Sequence, residues 1–503
     1  MKTQRTIFLS LGISLILAFT FSNVFAQENV KPRTIVTTDG EVDDMDSFIR
    51  FLLYVNEMKV EGLVYSSSMW HYSGDGKGTP FISEMEMTKR IYGERTELRW
   101  CGTTWMQELI DKYAGVYPGL IKHDPGYPTP GYLKSIIRVG NIEFEGEMEK
   151  VTEGSEFIKN ILLDDNNEPV YVQMWGGTNT LARALKSIEE EYKGKPGWED
   201  IYRKVSDKTW MYIILDQDAT YRKYIAPNWP KIRTVYNTSQ FWCVAYAWPR
   251  AIPPSQHKYL EGNWFSKHIL FDHGPLLESY YTWGDGMKIT GDPDHTHGSL
   301  EEAKKNGRAQ YDFISEGDSP SYFYLLNMGL QKFDDPSYGG LGGRFIQSAE
   351  NPRKWVDAPG VTDFNPETGK DEATFPQARW TEVLQKDFAA RADWCVKNYA
   401  EANHAPAVQI ESKTITAQPG ETVKLLGTAS DPDQNKLTGT WWNYAEAGSY
   451  PGKVQVKQTS EFEAEIRVSD DAVAGQVIHM IFQVTDDGTP ELTGFGRVII
   501  NVK

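Results

Sequence analysis

Residues 33–48 read "RTIVTTDGEVDDMDSF". An apolar, β-branched run, Arg33 to Thr38, leads into five acidic side chains within eight positions: Asp39, Glu41, Asp43, Asp44 and Asp46. The run has strand character. The next segment, "DDMDSFIRFLLYVNEM", carries the apolar spacing of an amphipathic helix. The acidic loop therefore joins a strand to a helix. One or two of its carboxylates could cap that helix and suit its dipole. Capping does not account for all five, because like charges this close repel and raise one another's pKa unless a cation compensates. Hard oxygen donors at this density favour calcium or magnesium over zinc or copper. The EF-hand pattern does not fit, since Asp44 stands where that loop requires Gly.

The same strand, loop, helix alternation recurs outward from this stretch. "VEGLVYSS" is apolar and short, "PVYVQMW" leads into "TNTLARALKSIEEEY", and "TWMYIILDQ" comes later. That pattern implies a mostly parallel sheet flanked by helices. In such folds the ligand lies outside the carboxyl ends of the strands, where "TTDGEVDD" and "WGGTN" would both emerge. Gly/Pro/aromatic loops from about 237 to 317 look like insertions that shape a mouth. At "NHAPAVQI" the texture changes to short alternating runs such as "TVKLLGTAS", "FEAEIRVS" and "GRVIINVK", the pattern of an immunoglobulin-like β-sandwich. The expected organisation is a leader over 1–26, an α/β domain over 27–403 and a sandwich over 404–503.

The leader expectation rests on Lys2 and Arg5, an apolar run through Phe21, and "NVFAQ". It places the mature protein in the periplasm or outside the cell, without stable membrane insertion. Three cysteines, Cys101, Cys243 and Cys395, allow at most one internal bridge. A formal net charge of −17 argues against a nucleic-acid polymer as partner. With 16 Trp and 26 Tyr, many of them in loops, a sugar-binding surface is a natural expectation.

The stretch "TTDGEVDDMDSF" resembles the calcium-binding signature of the inosine–uridine nucleoside hydrolase superfamily. "VYVQMWGGTNTLARAL" resembles that family's strand, Thr-Asn turn and helix, and "EGDSPSYFYLLNMGL" its last ligand turn. A closer resemblance is to an exported branch, the nucleoside-hydrolase-like proteins labelled cellulose-binding, which carry the same motif forms and an Ig-like carboxyl-terminal domain. The resemblance implies a nucleoside-hydrolase-like α/β fold and a bound Ca²⁺ held by Asp39, Asp44, Asp318 and the Thr178 carbonyl. It implies Asp43 as the general base that activates water for attack on an anomeric carbon, and Asn179 close to the sugar. The substrate implied is a sugar or glycoside, with plant-wall polysaccharide one possibility. The expected activity is hydrolysis of glycosyl, N-glycosyl or ribosyl-type, bonds; the alternative is a cellulose- or glycan-binding protein that keeps the fold without hydrolysis.

Two departures bear on that choice. Thr37 stands where the superfamily has its first aspartate, and Gly317 where it has the His that protonates the leaving base. Glu316, His273 and His71 are the candidate replacements for that acid. Asp216 and Asp218, in "IILDQDATYRKY", end another strand and could reach substrate hydroxyls, and "GDPDHTHG", with Asp292, Asp294, His295 and His297, reads as a polar turn.

Overall fold

The structure is a computed structural model and describes residues 31–503. The expected leader over 1–26 lies outside the described residues. Strand β1 (Arg33–Thr38) is buried along its whole length, because the sheet it belongs to is covered on both faces. Successive side chains point to opposite faces. Ile35 accordingly enters one apolar core with Val172, Leu181 and Leu185, while Val36 enters another with Phe48, Phe51 and Leu52.

In chain order come α1 (Val42–Phe51), β2 (Lys59–Tyr65), α2 (Trp105–His123), β3 (Ile137–Val139), α3 (Glu153–Leu163), β4 (Val170–Met174), α4 (Asn179–Tyr192), α5 (Trp198–Lys208), β5 (Thr209–Ile214) and β6 (Arg233–Asn237). After the long insertions come β7 (Ile346–Gln347), β8 (Lys354–Val356) and α6 (Thr381–Trp394). The eight strands lie in the order β3-β2-β1-β4-β5-β6-β8-β7. All neighbours are parallel except the edge pair β7 and β8. The mostly parallel sheet expected from the sequence is what the chain forms. Helices α3, α4 and α5 line the Ile35 face through Ile158, Leu162, Ile188 and Val205. Helices α1, α2 and α6 line the Val36 face through Ile49, Ile110, Leu120 and Phe388. The chain leaves β1 for β2 on one side and returns to β4 on the other, so the loops after β1 and β4 part at the switch point where α/β proteins bind ligands.

From Ala407 onward, apart from one 3-10 turn at Ala445–Ala447, the regular elements are strands: β9 (Ala407–Ile410), β10 (Thr414–Ala417), β11 (Thr422–Ser430), β12 (Leu437–Asn443), β13 (Val456–Gln458), β14 (Glu463–Arg467), β15 (Val477–Asp486) and β16 (Thr493–Val502). They make two four-stranded sheets, β9-β11-β14-β13 and β10-β16-β15-β12. Their own core holds Leu425, Trp441, Ile466, Phe482 and Ile500. Cys101, Cys243 and Cys395 are all free. Among the described residues no helix is long and apolar enough to cross a membrane.

The sandwich is fastened to the α/β part by a buried polar knot. Asp363 is fully buried and accepts from Arg344 Nε and Nη2 at 2.9 and 2.7 Å, from Arg379 Nη1 at 3.0 Å and from the Tyr444 hydroxyl at 2.7 Å. Charges out of water hold only while paired. The Asp363→Ala variant should therefore lose about 3–5 kcal/mol of stability by leaving Arg344 without its carboxylate and Arg379 with only Glu446 at 4.0 Å, read from the shift of its urea unfolding midpoint.

Candidate metal and sugar site

The acidic loop does not cap its helix. The residue preceding α1 is Glu41, and no side chain closes that turn. Instead the loop's carboxylates gather with one from another loop: Asp43, Asp44 and Asp318 each place an oxygen within 4.8 Å of the others. Among the described residues this is the single such group of three or more potential ligands. Asp44 and Asp318 are buried and Asp43 is partly exposed. At such a separation each ionised pair repels by about 3–4 kcal/mol at an effective dielectric near 20.

Burial and these neighbouring charges drive the carboxyl pKa values upward together. Asp43, Asp44 and Asp318 are all raised well above the ordinary carboxylate range, burial first and neighbouring carboxylates next, with Glu41 contributing at Asp43. Burial pushes Asp39 up to about 7, Glu41 adding to it. Asp39 also keeps one buried oxygen, Oδ2, with no hydrogen-bond partner. Clustered hard donors, mutual repulsion and an orphaned buried oxygen fit a divalent cation such as calcium.

The surroundings hold these groups in place. The Thr38 hydroxyl and the Asp39 N–H both donate to Asp44 Oδ1, the latter at 3.3 Å. Ser315 Oγ donates to Asp43 Oδ2 at 3.3 Å. Gly176, in the turn after β4, lies so close to Asp39 that a Cβ there would sit 2.8 Å from its carboxyl carbon. Glu41 turns away and accepts from the Tyr246 hydroxyl at 3.0 Å, with Arg99 Nη1 at 3.9 Å. Thr38 and Ser315 border the motifs but nothing in the sequence singled them out. Nothing local in the sequence marks Tyr246 or Arg99.

The expected residues separate into two groups. Asp39, Asp43, Asp44 and Asp318 meet at the switch point, but Asp43, expected as the base, stands inside the 4.8 Å group and Asp39 outside it. Thr178 precedes α4; its carbonyl already accepts the Ala182 N–H at 2.9 Å, which leaves one lone pair. Asn179 is fully buried and committed to the fold, donating to Ser67 Oγ and the Asn141 carbonyl, each at 2.9 Å. Asp218 Oδ2 accepts the Asn179 N–H at 2.8 Å, and Oδ1 accepts the Thr220 hydroxyl at 2.7 Å. It shapes the turn rather than facing a substrate. Asp216 is likewise taken up by the Arg222 guanidinium at 3.0 Å and by two N–H groups at 3.3 Å.

Glu316 departs most from expectation. It is fully buried, and its oxygens accept from Tyr280 at 2.6 Å, Ser319 at 2.9 Å and Arg50 at 3.2 Å. Arg50 in turn donates to the Leu384 carbonyl at 2.6 Å and to Gln385 at 2.7 Å. Glu316 thus latches its loop to α1 and α6 and presents no free oxygen to a substrate. His273 pairs with Asp393 of α6 at 3.3 Å, and Thr37 points its hydroxyl at Met174 and the Gln173 carbonyl of β4. Gly317 has a steric reason: a Cβ there would come 2.6 Å from Asp43 Oδ2, closer than van der Waals contact permits. No side chain can occupy that position while Asp43 stays where it is.

Residues 33–345 match the family described as cellulose-binding Sde182, nucleoside hydrolase-like domain. The chain belongs to this family. Residues 422–502 match the C-terminal domain of cellulose-binding protein Sde0182. Among solved structures, a nucleoside hydrolase-related protein from Saccharophagus degradans, associated with carbohydrate metabolism, is 26% identical, with a TM-score of 0.68, and the match covers 94% of this chain and all of that one. The effector protein XOO4466 is 10% identical at a TM-score of 0.33, covering 73% of this chain and 95% of its own. No curated protein matches the chain.

Because Gly317 abuts Asp43, Gly317→Ala should push the Asp43 carboxylate aside and lower the pKa of Asp318, which the Asp43 charge raises. Carboxyl ¹³C shifts followed through a pH titration check it; curves superimposable on the parent's contradict it.

Proposed function

We propose that this member of the family is an exported, calcium-dependent hydrolase of glycosyl bonds acting on a sugar or glycoside. The observation that supports the reading most is the convergence of Asp43, Asp44 and Asp318 within 4.8 Å, beside the orphaned oxygen of Asp39. Asp39, Asp44, Asp318 and the free lone pair of the Thr178 carbonyl would hold the cation. When bound, the cation would supply a more acidic water and a hard anchor for vicinal sugar hydroxyls.

The chain's own residues would do the rest. Asp43, the partly exposed carboxylate, would take the proton from water as it attacks the anomeric carbon. Ser315 orients that carboxylate through Oδ2. Positive charge growing at the anomeric carbon would be stabilised by the surrounding carboxylates, a contribution made in the transition state rather than in the bound substrate.

A second reading, glycan binding without hydrolysis, draws on a different observation. Gly317 bears no side chain, and Glu316 is saturated by Arg50, Tyr280 and Ser319. The position after Glu316 thus supplies no acid for the departing group.

One experiment separates the two. Purified protein is incubated with p-nitrophenyl ribofuranoside, a nucleoside panel and cello-oligosaccharides, with calcium or with EDTA. The hydrolase reading expects release that EDTA abolishes and that Asp43→Asn lowers by about 10²–10⁴-fold, the usual worth of general base catalysis. Retention on cellulose with no release from any substrate contradicts hydrolysis and supports binding alone.

A further inference from the structure

Beside Glu41 a second group of polar side chains goes unused by the mechanism above. It is built from the turn after β2, the Arg99 segment and the insertion 280–298. His71 is fully buried and His295 nearly so, yet neither has a hydrogen-bond partner on either ring nitrogen, and His297 Nδ1 also lacks one. Buried donors and acceptors are paired in the great majority of cases. Five unpartnered imidazole nitrogens in one neighbourhood therefore point to a ligand.

The surrounding frame is rigid. Arg99 forks onto Asp292 through Nε at 2.9 Å and Nη2 at 2.8 Å, and His71 Nε2 lies 3.9 Å from the same carboxylate. Gly291 holds a positive φ of 87°, and a Cβ there would strike the Trp100 carbonyl at 2.0 Å, so the insertion is pressed against the Arg99 segment. The His295 and His297 rings lie 5.3 Å apart, His295 meets the edge of Tyr281 at 5.3 Å, and His297 that of Trp283 at 4.6 Å. A cavity of about 700 Å³ has Asp292 and His295 in its wall, with His71 and His297 lying outside that lining.

The group adjoins the carboxylate site through three contacts. Arg99 approaches Glu41 at 3.9 Å, Tyr246 bonds Glu41 and stacks toward His297 at 6.0 Å between centroids, and Asp46 accepts the Tyr281 N–H at 2.8 Å.

We propose that His71, His295 and His297, with the Arg99–Asp292 pair, form a subsite for a second sugar unit, next to the one held at the acidic cluster. This rests on the reading above that the acidic cluster takes a sugar. A neutral imidazole offers one donor and one acceptor, which matches a hydroxyl that both gives and takes a hydrogen bond. Burial keeps the rings neutral, with His71 pushed down to about 3 and His295 to about 4. The aromatic rings supply apolar faces, and the acidic neighbours disfavour an anion. Interplanar angles of 72° and 74° set Trp283 and Tyr281 on edge to His297 and His295, so these rings offer no parallel slot of the kind a flat base asks for, whereas a puckered ring edged with hydroxyls needs none.

The test is calorimetric titration of the full, calcium-loaded chain with glucose, cellobiose and adenosine. Cellobiose is expected to bind about tenfold more tightly than glucose or adenosine, and His295→Phe and His297→Phe should each bring it down to the glucose level. Equal affinity for glucose and cellobiose, or a gain that survives both substitutions, overturns the subsite; a larger gain with adenosine overturns its assignment to a sugar. If a variant fails to fold, the ¹⁵N resonances of the parent's imidazoles decide: they should shift on adding cellobiose and not glucose, and unchanged resonances contradict the proposal. Absence of calcium uptake by the parent would instead defeat the underlying reading of the acidic cluster.

Discussion

Three carboxylates held within 4.8 Å of one another, largely out of water, are the constraint around which this protein is organised. Their repulsion is unfavourable in isolation, and a fold tolerates it only where the backbone leaves no alternative. Here the backbone does so from several directions. The first turn of α1 delivers Asp43 and Asp44, and β1 sets Asp39 beside the group. The loop latched by Glu316 and Arg50 delivers Asp318, and the glycine turn after β4 closes against Asp39. Because β1 is central and covered on both faces, the cluster cannot relax by moving the strand. The strain is local and the support is global, the arrangement expected of a functional site.

The fold was legible where periodicity carries the information. The β-branched strand runs, the helix-spaced segments and the alternating carboxyl-terminal strands each appear as such in the structure, because burial on two faces, one stripe or one face leaves a distinct pattern in sequence. The acidic loop stood out for a different reason, its charge density on a strand-to-helix turn, whereas Asp318 was reached only through the resemblance of "EGDSPSYFYLLNMGL" to a family turn. The roles of Glu316, Asp216, Asp218 and Asn179 were not. Each is a polar residue at a strand end or turn, and sequence cannot show whether its partners are ligand or backbone. Several of their hydrogen bonds, such as those of Glu316 to Arg50 and Asn179 to Ser67, come from positions that only the folded chain brings near.

The same limit hid the surroundings of the insertion's histidines. "GDPDHTHG" reads as an ordinary polar turn until Arg99, nearly two hundred positions upstream, forks onto Asp292 and His295 is buried beside Tyr281. Gly317 marks the contrast. The position that carries a histidine in nucleoside hydrolases of the inosine–uridine type is sterically closed here by Asp43, while imidazoles gather instead on the insertion. The family to which the chain belongs is described as cellulose-binding and nucleoside hydrolase-like.

If the acidic cluster is a cation site and not merely a tolerated defect, the metal must stabilise the native chain. Thermal unfolding of the parent and of Asp44→Asn, with and without millimolar calcium, tests this most directly. Calcium should raise the parent's midpoint by several degrees, as binding to the native state alone must. Asp44→Asn, with one repulsive charge removed, should be at least as stable as the parent without calcium and gain nothing from it. A parent midpoint indifferent to calcium, or a full calcium response retained by Asp44→Asn, would contradict the assignment.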